Sequence, residues 1–463
     1  MLVLHAARTI AVTRGTLPSF VMVRAPLLFA AMLAACSTGS PRPAPEAEPV
    51  SEPAVAPLEA TAEAPEVPEV TPAPARDPEP APAPEPEPPR APLPDDYLAF
   101  EGACDPAEVV TIAAVGDIMG HREIQRQAYA TDEGFGAVWA NIADLLAAAD
   151  ITYGNLEAPT APGLGRDHEA HADPGRRFDN KVYSGYARFN IHPSILDDLL
   201  RAGFDVVSTA NNHSLDRDAE GIDKTIAQLR KRKLKFTGTR PSGTEMPFST
   251  ITEAKGMRIA WVGCTLHTNF GKDDLGQVLH CFEPGDPVRK VVRRLRKRKD
   301  VDAVIVTPHW GKEYTHEPSD RQRKFAQRWL DAGATAIIGS HPHVIEPWEI
   351  RDTEDGRQGF VFYSLGNFFS HQRTLNRRST VILYVGLSKT EAGVQVVGAR
   401  YVPLHVRMEG DKKAFFVEAI DRVGGPKEAR TLLVDQLGPS GLMPPKLPID
   451  VRPHCNPQWT PPG

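Results

Sequence analysis

Between residues 109 and 364, short apolar runs alternate with helix-spaced segments, and most of the apolar runs end on a side chain able to bind a metal. Runs of strand length occupy 109–115, 151–153, 205–209, 258–263, 301–307, 335–338 and 359–364. Segments 138–149, 195–202, 220–231, 288–298 and 321–332 carry apolar residues at helical spacing. Such alternation predicts an α/β fold with a largely parallel sheet and helices outside it. The last third, at 381–387 and 394–403, reads as more purely β, and no internal repeat is visible. Open sheets of this kind place their sites beyond the carboxyl ends of the strands.

Asp117 follows the first run in AAVGDIMGH, Asn155 and Glu157 the second in TYGNLEAP, and Asn211, Asn212, His213 and Asp216 the third in VVSTANNHSLD. His309 lies in VIVTPHWGKEY, His341 and His343 in AIIGSHPHVIEPW, and Asn367 in FVFYSLGNF. Carboxylates, amide oxygens and imidazoles are the donors that hold Mn, Fe or Zn. Two such ions ~3.5–4 Å apart can clamp a phosphoryl group or activate water. The sequence therefore predicts a site for one or two divalent metal ions. His341-Pro-His343 has period-two spacing, which in an extended segment turns both rings to one side. Gly116, Gly154 and Gly339 stand where the chain would turn sharply beside the donors. Each motif alone has a structural explanation too: Gly-Asp as a turn, the paired histidines packed on Trp348, His309-Trp310 as core. Their joint occurrence at one sheet edge selects the shared site.

Composition divides the chain. Of its 44 prolines, 19 fall within 41–94, a stretch with 11 Asp/Glu and three Lys/Arg. That stretch carries −8 and residues 1–40 carry +3, so the remaining 369 residues hold only −1 of the overall −6. A near-neutral folded part argues against nucleic-acid binding, and its length suffices for a large core. The Pro/Ala/Glu composition of 37–96 cannot offset ordering entropy and predicts a disordered linker. Fully extended, its proline-rich part would reach on the order of 150 Å. Ahead of it, an 11-residue apolar run from Ala25 to Ala35 follows Arg24 and ends in Leu33-Ala34-Ala35-Cys36. This reads as an export signal over 1–36, too short to span a bilayer, with Met22 an alternative start. A folded domain over 97–437 and a Pro-rich tail over 438–463 complete the layout. Cys104, Cys264, Cys281 and Cys455 allow three pairings; Cys104 and Cys455 bracket the domain, so Cys104–Cys455 with Cys264–Cys281 is one candidate.

Arg289–Lys299 holds eight basic residues around Val291, Val292 and Leu295, the pattern of a surface helix with an inward apolar stripe. The alternative is a patch for an anionic polymer or anionic lipid. Arg230–Lys235 is a smaller basic run suited to a helix end, and His168 and His171 lie in a polar surface loop.

At VGDIM (115–119), GNLE (154–157), AGFDVVSTANNHSLD (202–216), HWGKEY (309–314), GSHPHV (339–344) and YSLGNF (363–368) the chain resembles the CapA family. These are bacterial proteins of poly-γ-glutamate capsule synthesis with a calcineurin-like metallophosphatase fold. Leu33–Cys36 likewise resembles the bacterial lipobox, in which Cys36 is lipidated. The family resemblance implies a four-layer α-β-β-α sandwich. It implies Asp117 as a first-metal ligand, Glu157 as a bridging carboxylate, Asn212 on the second metal, and His309, His341 and His343 completing the shells. His213 would be the catalytic acid or a phosphoryl contact, and Asn155, Asn211, Lys312, Tyr314 and Asn367 would line the pocket. Metallophosphatases at large carry Asp-x-His where Met119 stands here, and Gly-Asp-x-x-Asp where this chain has Gly154-Asn155-Leu156-Glu157. The expected function is that of a lipid-anchored, metal-dependent hydrolase of phosphoester or related bonds in capsule synthesis. A non-catalytic module for the polymer or its synthase, and a cell-wall remodelling hydrolase, are the alternatives. Expected partners are the membrane, an anionic polymer such as poly-γ-glutamate, and capsule synthase subunits; the expected location is the exported side of the cell envelope.

Overall fold

The all-apolar strands and the amphipathic helices sort into layers. The computed structural model describes residues 93–391, 393–410 and 414–460. The export signal, Cys36 and the linker up to residue 92 lie outside the described residues. The described strands are β1 (Val109–Ile118), β2 (Ile151–Leu156), β3 (Phe204–Ser208), β4 (Lys235–Thr237), β5 (Ser249–Ala254), β6 (Met257–Thr265) and β7 (Ala303–His309). They continue with β8 (Ala336–Ile338), β9 (Ile345–Asp352), β10 (Gln358–Leu365), β11 (Asn367–Phe369), β12 (Ser379–Thr390), β13 (Gly393–Glu409) and β14 (Ala414–Ala419).

These form two sheets, as the family resemblance implies, rather than the one largely parallel sheet that strand–helix alternation alone suggested. The first has the order β14-β13-β12-β1-β2-β3-β4, with β11 also paired to β1, and the second the order β5-β6-β7-β8-β10-β9. Each is mixed: β1 to β4 run parallel while β12, β13 and β14 add antiparallel strands. In the second, β6, β7, β8 and β10 run parallel between antiparallel edges β5 and β9. Period-two alternation sends successive residues to opposite faces. Ile112 and Ala114 of β1 pack with Ile259, Trp261 and Ile305 between the sheets. Ala113 and Val115 face outward onto helix residues Leu196, Leu199 and Ile226. On the far side Val262, Val292, Leu295 and Trp329 pack together. Helices thus cover both outer faces, and four layers result.

The segment expected as a single helix over 138–149 is broken into short turns, Gly136–Trp139, Ala140–Ile142 and Ala143–Ala147. The basic helix, Pro287–Arg296, buries Val288, Val292 and Leu295 and leaves most of its charges exposed, as the stripe reading expects. His168 sits in a surface loop with Nδ1 2.7 Å from Asp218 Oδ2. Behind the domain, Leu442, Met443 and Val451 of the Pro-rich tail are buried against the sheets. Asp96, placed by composition in the linker, accepts hydrogen bonds from Ser440 N (2.8 Å) and Oγ (2.6 Å). No helix among the described residues is long and apolar enough to cross a membrane.

Disulfides join Cys104 to Cys455 and Cys264 to Cys281. The first closes a loop of 351 residues, which restricts the unfolded chain strongly. Replacing Cys104 and Cys455 together by serine is expected to lower unfolding stability by ~2–5 kcal/mol. Denaturant melts read this directly, and an unchanged midpoint would contradict it.

Candidate metal centre

Asp117, the next-to-last residue of β1, is fully buried. Its ladder partners are Asn155 on β2 and Asn367 on β11. Asn155 Nδ2 donates to Asp117 Oδ1 at 2.8 Å. On the other oxygen, His343 Nδ1 lies at 3.0 Å and the His341 backbone N–H donates at 3.4 Å. His309, at the end of β7, places Nδ1 3.8 Å from Asp117 Oδ1 and 3.0 Å from Ser340 Oγ.

The other nitrogen of His309 is a crowded focus. Around Nε2 stand Asn212 Oδ1 at 3.1 Å, His341 Nδ1 at 3.1 Å and Glu157 Oε1 at 3.6 Å. A neutral imidazole carries a single ring proton, so one N–H cannot answer all three. Glu157 is fully buried, and neither of its carboxylate oxygens has a hydrogen-bond partner among the described residues. A buried unpaired charge costs several kcal/mol. Burial first, then the nearby Asp117, raises the Glu157 pKa well above the usual carboxylate range. A divalent cation answers these lone pairs together. Ligand atoms of Asp117, Glu157 and His309 all lie within 4.8 Å of one another, so this group can hold a metal ion. Burial, then the neighbouring imidazoles, keeps His309 and His341 well below their ordinary pKa. Neutral rings are the form that ligates metals.

The route by which the two histidines arrive differs from the extended segment the spacing suggested. His341 has φ 102° and His343 φ 59°, both in the left-handed region, within a bend. Non-glycine residues held there store strain of order 1–3 kcal/mol, which the surrounding contacts must sustain. One such contact is the Tyr314 N–H, which donates to Pro342 O at 2.8 Å. The glycines also act otherwise than as turns. Gly116, Gly154 and Gly339 do not have positive φ. A Cβ on Gly116 would come 1.9 Å from Gly366 O, and one on Gly339 2.0 Å from Tyr363 O. The role of these two is close backbone approach, whereas a Cβ on Gly154 would meet the side chains of Phe204 at 2.8 Å and Ile118 at 2.9 Å.

His213 Nδ1 lies 2.7 Å from Asp216 Oδ2, which fixes the ring and leaves Nε2 facing Asn269 Nδ2 at 3.5 Å. Burial raises the Asp216 pKa, opposed by His213. Asn211 and Asn367 serve as braces. Asn211 Nδ2 donates to Leu156 O at 2.8 Å, and Asn367 Nδ2 to His343 O at 3.2 Å. Tyr314, 40% exposed, has its ring centroid 5.9 Å from that of His343. Lys312 is exposed in the loop after His309 and makes no hydrogen bond or ion pair with the cluster among the described residues. Met119 is buried in the apolar cluster and offers no ligand. Two residues on, His121 Nδ1 accepts from the His371 N–H at 3.3 Å; burial, then His371, pushes its pKa down to about 3. The Gly-His end of VGDIMGH was the available signal for this residue, and sequence reasoning passed over it.

Residues 111–372 match the family described as bacterial capsule synthesis protein PGA_cap. The chain belongs to that family. Within it, the PGA biosynthesis protein CapA of Bacillus subtilis is 28% identical over 290 residues, covering 62% of this chain and 70% of that one. The capsule biosynthesis protein CapA of Bacillus anthracis is 28% identical over 320 residues, covering 66% and 69%. Among solved structures, the calcineurin-like phosphoesterase YfkN of Bacillus subtilis is 15% identical with a TM-score of 0.37, covering 72% of this chain and 97% of that one. A likeness that distant says nothing of the chemistry here.

With a chelator present, Glu157→Gln is expected to unfold at or above the wild-type temperature. Its advantage should grow as pH rises above 4.5, the ordinary carboxylate value, because the raised pKa makes ionised Glu157 an increasing burden on the fold. Added Mn, Zn or Fe should then stabilise the wild type more than the variant. Calorimetric melts check both; a variant less stable than wild type under chelator at about pH 8 would contradict this account.

Proposed function

We propose that this capsule-family protein is a metal-dependent hydrolase of phosphoester or related bonds, acting in an exported capsule-polymer pathway. The observation that carries the reading is the pair of unpartnered Glu157 oxygens beside Asp117 and the histidines. Asp117, Glu157, Asn212, His309, His341 and His343 would hold one or two divalent ions, Mn, Fe or Zn. When bound, such an ion polarises the scissile bond and makes water acidic enough to supply hydroxide at neutral pH.

The chain's own residues do the rest. Asp216 holds His213 by Nδ1, so that Nε2 is the atom that gives or takes a proton beside the cluster. Asn155 Nδ2 donates to Asp117 Oδ1 at 2.8 Å, orienting it, and packs 3.1 Å from His309 Nδ1. Ser340 adds a second contact to the same His309 nitrogen. Met119 in place of a histidine ligand favours a single tightly held ion over a full pair. Anchoring to a membrane through lipidated Cys36, with the acidic Pro-rich stretch as tether, completes the proposed setting.

A second reading has its own support. Lys233 and Lys235 from one basic run and Arg298 from the other line a single cavity of about 690 Å³, together with Arg258 and the starts of β2 and β3; Asp205 and Glu253 also line it, so the basic groups outnumber the acids four to two. That groove suits a non-catalytic role in holding an anionic polymer or assembling its synthase.

One set of variants separates the readings. Asp117→Ala and His343→Ala are expected to lose metal and to lower hydrolysis of a simple phosphoester by about 100-fold or more. Both should also stop polymer export. Wild-type protein that takes up no metal and hydrolyses nothing with Mn, Zn or Fe added would defeat the hydrolase. Polymer export intact in Asp117→Ala but lost in the double variant Lys233→Glu/Lys235→Glu would install the second reading.

A further inference from the structure

One cation beside the cluster has its charge uncommitted. Arg377 lies in the short turn of helix Leu375–Arg378 behind β11. Asn367 Nδ2 donates to its backbone oxygen at 2.9 Å and to His343 O at 3.2 Å. The residue opposite Asp117 in the ladder therefore ties the Arg377 turn to the His343 loop. The Arg377 Cζ lies 3.5 Å from the centroid of the Tyr314 ring, which is itself 5.9 Å from the His343 ring. Tyr314 is 40% exposed, so this stack stands where solvent meets the cluster.

Several other arginines stacked on rings are also neutralised. Arg323 pairs with Glu349, Arg328 with Asp286 and Arg407 with Glu418. Among the described residues Arg377 forms no ion pair, and its Nε is buried without a hydrogen-bond partner. A guanidinium with its face on an aromatic ring keeps its edge free, and that edge is a fork of N–H donors matched to an oxyanion. The ring beneath stays neutral, because burial and then Glu313 push the Tyr314 pKa up to about 12.

We infer that Arg377 is the substrate-recognition residue of this site, taking a phosphoryl or carboxylate group on the edge of the guanidinium that Tyr314 leaves free. The inference rests on the metal cluster being the place where substrate binds. It adds a specificity residue that is not a metal ligand, and which anion that residue prefers narrows the substrate class.

The test is calorimetric titration of the full chain, incubated with manganese, with inorganic phosphate and separately with triglutamate. Wild type is expected to bind at least one of them, and which one it binds distinguishes a phosphoryl from a carboxylate substrate. Arg377→Gln should weaken that binding about 10-fold or more. Arg377→Lys, which keeps the charge and the backbone bonds, should weaken it by a smaller factor. Manganese content should match wild type in both variants. Where phosphoester hydrolysis is measurable, KM should rise in Arg377→Gln while kcat holds. Anion binding that depends on Arg377 in a protein that hydrolyses nothing would support this inference and count against the hydrolase. Wild type that binds neither anion, or an Arg377→Gln protein that binds as wild type does, would overturn it.

Discussion

Glu157 buries both carboxylate oxygens within reach of a second acid, Asp117, and of His309, whose Nε2 already faces an amide oxygen and another imidazole. In an apolar sandwich this arrangement is tolerable only with a cation among the acceptors or with protons taken up in its place. Much of the surrounding structure keeps these groups from relaxing apart. Asn155 and Asn367 pin Asp117 from the two neighbouring strands, and Asn211 fixes the backbone just before Glu157. Left-handed backbone at His341 and His343 aims rings that a regular strand would have sent elsewhere.

Two sheets are needed for this, and they meet where β1 and β10 deliver their ends. Gly116 against Gly366, and Gly339 against Tyr363, leave no room for a side chain between the strands. The interlayer core of Ile112, Tyr153, Trp261 and Phe362 supplies the burial that makes the site dry. Membership of the capsule synthesis family agrees with the placement of the matched segment, residues 111–372, which contains every residue of the cluster.

Much of this was legible in the sequence. The donors were readable because each follows an apolar run, and strand ends are where side chains escape the core. The outer helices were readable from their stripes, as with Val288, Val292 and Leu295. Four things were not. The division into two sheets, which the family resemblance implied, could not be read from the strand pattern itself, because it depends on which strands pair. Period-two spacing at His341 and His343 suggested an extended segment, yet tertiary contacts hold a bend there. The glycines were assigned to turns because sequence reports that a side chain is missing, not which backbone fills the space. Asn211 and Asn367 look in sequence like pocket residues and act as braces, a distinction that exists only in hydrogen-bond geometry.

The central claim is a cation held among Asp117, Glu157 and His309. A crystal of the protein grown with manganese, measured at a wavelength where manganese scatters anomalously, tests it most directly. The account predicts an anomalous peak about 2–2.5 Å from a carboxylate oxygen of Glu157 and from Nε2 of His309. A well-ordered site with no peak there, and with Glu157 hydrogen-bonded to water or to a protein group instead, would contradict it.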